Sequence, residues 1–136
     1  MVRRLSLVLL LLPFLLLTSC SDDDDPEASG STGTVAATVV VDFTGSPEER
    51  EKLEAAFTVE AGTTAWEAVQ QALGEENLRY QDFGGDLGIF ITGFYGVEVQ
   101  GNHFWEFRLN GETAEQGVSK YVVQPGDVLE FVYSSF

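Results

Sequence analysis

The chain has 136 residues, with 7 Lys and Arg against 22 Asp and Glu and a formal net charge of −15. That balance excludes nucleic acid as a partner, since phosphate binding needs clustered Lys and Arg, and it excludes charge-driven attachment to anionic lipid. With one His and one Cys, the chain offers no disulfide framework, no Cys-based zinc site and no metal centre built on paired imidazoles, and the acidity itself serves solubility.

At the start, Val2-Arg3-Arg4 followed by LSLVLLLLPFLLL is a basic n-region and an apolar h-region, with TSC where cleavage would fall, so residues 1–19 are expected to be a secretion signal. The apolar run is broken by Pro13 and is shorter than the roughly 20 residues a spanning helix needs. Leu17-Thr18-Ser19-Cys20 resembles the lipobox of bacterial lipoproteins, which implies that Cys20 is lipidated and that the membrane partner is reached through its lipid. Removing the signal leaves Arg50, Lys52, Arg79, Arg108 and Lys120 against all 22 acids.

Residues 20–33 have no hydrophobic periodicity and read as an acidic, small-residue tether. Asp22 to Asp25 lack the Gly and distant Glu of a calcium loop and are a solvated charge run. Cys20-Ser21 with those aspartates resembles the export signal that places lipoproteins on the outer face of some outer-membrane bacteria. The implied location is extracytoplasmic, lipid-anchored to the outer membrane and exposed at the surface.

Residues 34–136 form one small domain, long enough for a single core. Thr34 to Phe43 is rich in β-branched residues and predicts a strand. Ser46-Pro47-Glu48-Glu49 has the spacing of a capping box, predicting either a short helix over residues 48–56 or a polar loop, and Phe57 to Glu60 a short strand. The clearest helix opens at Thr64, which pairs with Glu67 in a second capping box. Its apolar residues Trp66, Val69 and Leu73 recur at helical spacing, Ala65, Ala68 and Ala72 lie beside them, and Gly74 is the stop, so one face packs on a sheet and Trp66 belongs to the core. Further strands are predicted over 79–83, 87–94, 97–99, 103–110, 117–123 and 128–133, with Asn110-Gly111 as a tight hairpin turn.

Period-two geometry sorts HFWEFRL onto two faces: His103, Trp105, Phe107 and Leu109 toward the core, Phe104, Glu106 and Arg108 away from it. Trp105 is then a packing residue whose indole N–H needs a partner, and His103 a rim residue. Phe104, with the loops around Phe94, Tyr95 and Gly96, is the candidate reader of a ligand; the alternative is that Phe104 and Phe94 pack beneath the helix or a loop. A nucleophile with its base is not recognisable, and the acid pairs Asp82 with Asp86 and Glu112 with Glu115 are too unspecific in so acidic a chain to mark glycoside chemistry. The expected protein is not an enzyme and has no cofactor of its own.

The ordered set GTTAWEAV (62–69), ITG (91–93), FWEFRLNG (104–111), GVSKY (117–121) and PGDVLEFVY (125–133) resembles the transcobalamin-like C-terminal domain, the small β domain of transcobalamin and intrinsic factor, also found in bacterial secreted proteins. The resemblance spans residues 34–136. It implies an α+β, β-grasp-like fold, a small mixed sheet with one main helix across it. It also implies cobalamin or another corrinoid as ligand, with Phe94, Tyr95, Phe104 and Trp105 as carried-over contacts. In the animal carriers cobalamin lies between this domain and a large helical one. The function expected is therefore a binding module of the envelope that captures a corrinoid or other small ligand. The alternative is a module that docks a second envelope protein and has no small-molecule ligand.

Overall fold

The computed structural model describes residues 33–136. The signal over 1–19, lipidated Cys20 and nearly all of the tether lie outside the described residues.

Strand β1 (Thr34–Asp42) pairs antiparallel with β2 (Leu53–Glu60) and parallel with β8 (Val128–Ser135). Next to β8 lies β6 (His103–Leu109), antiparallel to it, and then the two-residue β7 (Glu112–Thr113), giving a five-stranded sheet in the order β2-β1-β8-β6-β7. A second sheet holds β3 (Leu78–Asp82), β4 (Ile89–Phe94) and β5 (Val97–Glu98) in that order. With one α-helix among the described residues, α1 (Ala65–Leu73), the fold there is a mostly-sheet α+β domain of two sheets.

The alternation in TVAATVVVD sends Val35, Ala37, Val39 and Val41 inward, where Val39 and Val41 are fully buried against Leu129 and Phe131 of the neighbouring region of β8. Helix α1 covers this layer with Ala65, Ala68, Val69 and Leu73. Its start is the predicted capping box: Thr64 Oγ1 accepts from Glu67 N at 3.2 Å, and Thr64 N donates to Glu67 Oε2 at 3.0 Å. Gly74 ends it at a φ of 90°, a conformation that favours glycine. Trp66 sits on the rim of the buried stripe, half-buried, with its ring 4.6 Å from that of Tyr80.

Two local expectations give way to pairing. Residues 43–52 form turns and irregular chain, and the helical alternative for 48–56 is replaced by β2, which begins at Leu53 and gains a ladder with β1 through Glu60. An eight-residue strand with Phe57 and Val59 turned to the core outweighs one local cap. Residues 117–123 are turns instead of a strand, apart from one bridge between Val122 and Thr64. Lys120 N and Tyr121 N both donate to Gly117 O, and the carbonyls of Tyr121 and Val118 accept from Ala65 N and Trp66 N at 2.8 Å each. The segment thus satisfies the first amides of α1, which no intrahelical carbonyl can reach.

Candidate functional site

The hairpin predicted at Asn110-Gly111 forms with φ values of 53° and 91°, the twist a two-residue turn needs. Its return strand β7 covers only Arg108 and Leu109, and Ala114 N adds one bond to Phe107 O at 3.0 Å. Because Phe107 O points to this outer edge, alternation turns the N–H and C=O of Trp105 the same way, and they have no protein partner among the described residues. Chain 113–118 then swings away from β6 to reach α1. The space it leaves is an open groove of about 280 Å³ between β4 and β6.

The groove has apolar walls: Ile89, Phe90 and Ile91 on one side, Phe104, Trp105 and Phe107 on the other, and Val118 and Phe131 among its lining. Polar groups in its lining belong to Thr113, Glu115 and Gln116. Glu106 also lines it, and its carboxylate accepts from Thr113 Oγ1 at 2.6 Å, Ser134 Oγ at 3.0 Å and Arg108 Nη2 at 3.1 Å. The hydrogen bonds from Thr113 and Arg108 hold its carboxyl below the usual carboxylate range. Its lone pairs are largely committed to tying β6, β7 and β8 together.

Of the four aromatic residues expected at a ligand, the structure brings Phe104 and Trp105 to the groove and leaves Phe94 and Tyr95 outside its lining. Phe104 is half-buried, its ring stacked on that of Phe136 at 4.6 Å. Trp105 is 4% exposed and meets Phe94, Tyr133 and Phe43 edge-on at 5.0, 5.3 and 5.6 Å. Its Nε1 donates to Val97 O at 3.3 Å, the partner a buried indole requires. Phe94 is fully buried. Tyr95 occupies the β4–β5 turn at a φ of 51°, and burial, with Glu76 nearby, pushes its hydroxyl up. Missed by sequence reading were Ile89 to Ile91 and the 113–118 wall. Their apolar residues carry only an ordinary core signal, and their meeting with β6 depends on how the two sheets face each other.

The acid pairs do not form a centre. Asp82 Oδ1 accepts from Gly84 N in its own turn, Asp86 lies 3.9 Å from Lys120 Nζ, and Glu112 and Glu115 are exposed. Among the described residues no three His, Cys, Asp or Glu side chains converge.

Fold and groove together define a class: a small two-sheet domain whose incompletely covered strand edge opens onto an apolar cleft. Residues 62–135 match the model of a domain of unknown function, DUF4430, and the chain belongs to that family. The fold is shared with haptocorrin, solved in complex with Cbi, at a TM-score of 0.62 and 20% identity, over 80% of this chain and 27% of that one. It is also similar to a candidate metal-binding protein from Ruminococcus gnavus ATCC 29149, at a TM-score of 0.53 and 17% identity, over 76% of this chain and 98% of that one. The chain thus spans about a quarter of the haptocorrin chain. No curated protein matches by sequence.

Proposed function

We propose that this chain is a non-catalytic, lipid-anchored extracytoplasmic binding module that holds part of a corrinoid, or a small apolar ligand, in the β4–β6 groove. The observation that carries the reading is the groove itself, with an aromatic wall at Phe104, Trp105 and Phe107 and a backbone N–H and C=O at Trp105 that find no partner among the described residues. The likeness to haptocorrin supports the ligand class, and the sheet order β2-β1-β8-β6, with its central pair parallel and α1 across it, supports a transcobalamin-like, β-grasp assignment. A volume of about 280 Å³ is below that of sites that enclose a drug-sized molecule, so the groove grips one edge of a corrinoid and a second domain or chain covers the rest. The anchor rests on Cys20 and the residues before it.

Calorimetric titration of residues 33–136 with cobalamin and with a simpler corrinoid tests this. Saturable binding that Phe104→Ala weakens at least tenfold supports the site; a flat titration with both compounds removes the corrinoid reading for the isolated domain.

A second reading, a docking module for an envelope protein, is favoured by Phe83, Leu87 and Phe90, which are 52%, 76% and 41% exposed on and beside the β3–β4 turn next to the groove. Cross-linking of the anchored chain in intact cells that traps no partner through this hairpin would remove it.

A further inference from the structure

Strand β2 closes the five-stranded sheet on the side away from the groove, and among the described residues its only ladder is with β1. Ala61 N donates to Gly33 O at 2.9 Å, which fixes the parity of that ladder. The amides of Leu53, Ala55, Phe57 and Val59 therefore point to β1, and the N–H and C=O of Glu54, Ala56 and Thr58 point outward. The outer edge ends at Glu60, whose carbonyl accepts from Thr63 N at 3.1 Å and Thr63 Oγ1 at 2.6 Å. This is an eight-residue strand without proline, bulge or inward-pointing charge, three of the features that keep an edge from pairing, and its charges, Glu54 and Glu60, stand on the outer face.

The side chains make the edge complementary to itself. On the outer face stand Glu54, Ala56, Thr58 and Glu60, all exposed, preceded by exposed Lys52; on the core face Leu53, Ala55 and Phe57 are only half-buried. An antiparallel copy with Ala56 on the two-fold axis matches outward amides to outward amides along the seam. It sets Lys52 opposite Glu60 of the partner subunit twice over, Leu53 opposite Val59 of the partner subunit and Ala55 opposite Phe57 of the partner subunit. Lys52 Nζ already lies 3.6 Å from Asp42 Oδ2, so the new contact extends an existing charge row. Sliding two residues one way puts Glu54 opposite Glu60 of the partner subunit, a like-charge pair; sliding the other way shortens the ladder within β2.

We infer that the chain self-associates through β2, joining two five-stranded sheets into one continuous sheet, with Ala56 at the axis and Lys52–Glu60 pairs at both ends of the seam. A two-strand seam is smaller than a standard interface, so the dimer is weak. The groove lies on the far side of the sheet and stays open in it.

Sedimentation of residues 33–136, which contain every described strand, the described helix and the core they build, tests this over a concentration series up to about 1 mM, the weak end of specific association. The expected result is a reversible dimer. Ala56→Pro abolishes it while leaving the thermal transition of the monomer in place, because the Ala56 N–H points away from β1 and Pro removes only the outward donor. If that variant fails to fold, the charge pair decides: Lys52→Glu raises the dimer dissociation constant about tenfold, and adding Glu60→Lys restores it. A protein that stays monomeric throughout, or a dimer indifferent to Lys52→Glu or to a folded Ala56→Pro, overturns the inference.

Discussion

Asn110 and Asp127, at two turns 17 residues apart, are joined side chain to side chain, Asn110 Nδ2 donating to Asp127 Oδ1 at 3.0 Å. Asn110 Oδ1 accepts from Val128 N at 2.9 Å, while Asp127 Oδ2 accepts from Tyr121 Oη at 2.7 Å and Gln124 N at 2.8 Å. One buried carboxylate thus locks the end of the β6–β8 ladder, the turn into β8 and the segment that receives α1. Asp127→Ala leaves three donors unpaired, and removing a buried acceptor of this kind costs about 2–3 kcal/mol. The expected outcome is a lower urea midpoint with unchanged m-value, and a smaller loss for Asp127→Asn, which keeps one acceptor oxygen.

The same cluster contributes to both pH limits, and Glu106 adds to the acid one. Burial pushes the Asp127 carboxyl up, but hydrogen bonds from Asn110, Tyr121 and Gln124 N–H outweigh it and leave it below its usual 3.8. Glu106 is held below 4.5 by Thr113 and Arg108. A carboxylate lowered in the folded state adds stability that is present above its unfolded value and is lost as pH falls through the folded one. Tyr121 moves the other way: burial first, then Asp127, push its hydroxyl from 10.0 to about 12. Its contribution is complete below pH 10.0 and is lost as pH rises toward about 12. Urea midpoints are therefore expected to fall below about pH 4 and again above about pH 10, with the alkaline loss reduced in Tyr121→Phe.

Neighbouring aromatic residues on β6 separate stability from binding. Trp105→Ala empties a site bounded by Phe43, Phe94 and Tyr133 and removes the indole bond to the Val97 carbonyl, an expected cost of about 3–5 kcal/mol. Phe104→Ala on the opposite face costs about 1 kcal/mol or less, because its ring is half-exposed and stacked only on an exposed Phe136. Thermal melts and ligand titration of the two variants side by side check this: Phe104→Ala is to lose affinity with little loss of melting temperature.

Gly88 leads into Ile89 at the start of β4. At a φ of 66° it holds a conformation that other residues adopt under strain, and a Cβ there would run into Ser119 Oγ, the hydroxyl that accepts from Ile89 N at 3.2 Å. Gly88→Ala is expected to destabilise by about 1–3 kcal/mol. Adding Ser119→Ala should return only the steric part, so a double variant with full stability would refute the backbone-strain component.

The main elements were legible where local chemistry and tertiary pairing agree. Thr64 and Glu67 cap α1 as their spacing predicts, Asn110-Gly111 turns, and Trp105 faces inward with the other odd positions of β6. Where the two compete, pairing decides: of the two alternatives after Ser46, the polar loop holds as far as Lys52 and the helix does not form. Ser46 to Glu49 carry a helix-start pattern, yet the chain beyond them pairs with β1, and the β-compatible run at 117–123 is spent satisfying the α1 amides.

By itself, the sequence determined the inventory: one acidic α+β domain with a single capped helix, strands of known inward faces, and an aromatic β6 divided between core and exterior. Those facts follow from periodicity and turn chemistry, which act over a few residues. Only the tertiary structure decided that Phe94 closes the core while Phe104 and Trp105 line a groove, that β7 is too short to cover the Trp105 amide, and that β2 leaves a self-complementary edge. Each of these depends on which strands become neighbours, a non-local choice made by burial of the whole apolar surface at once.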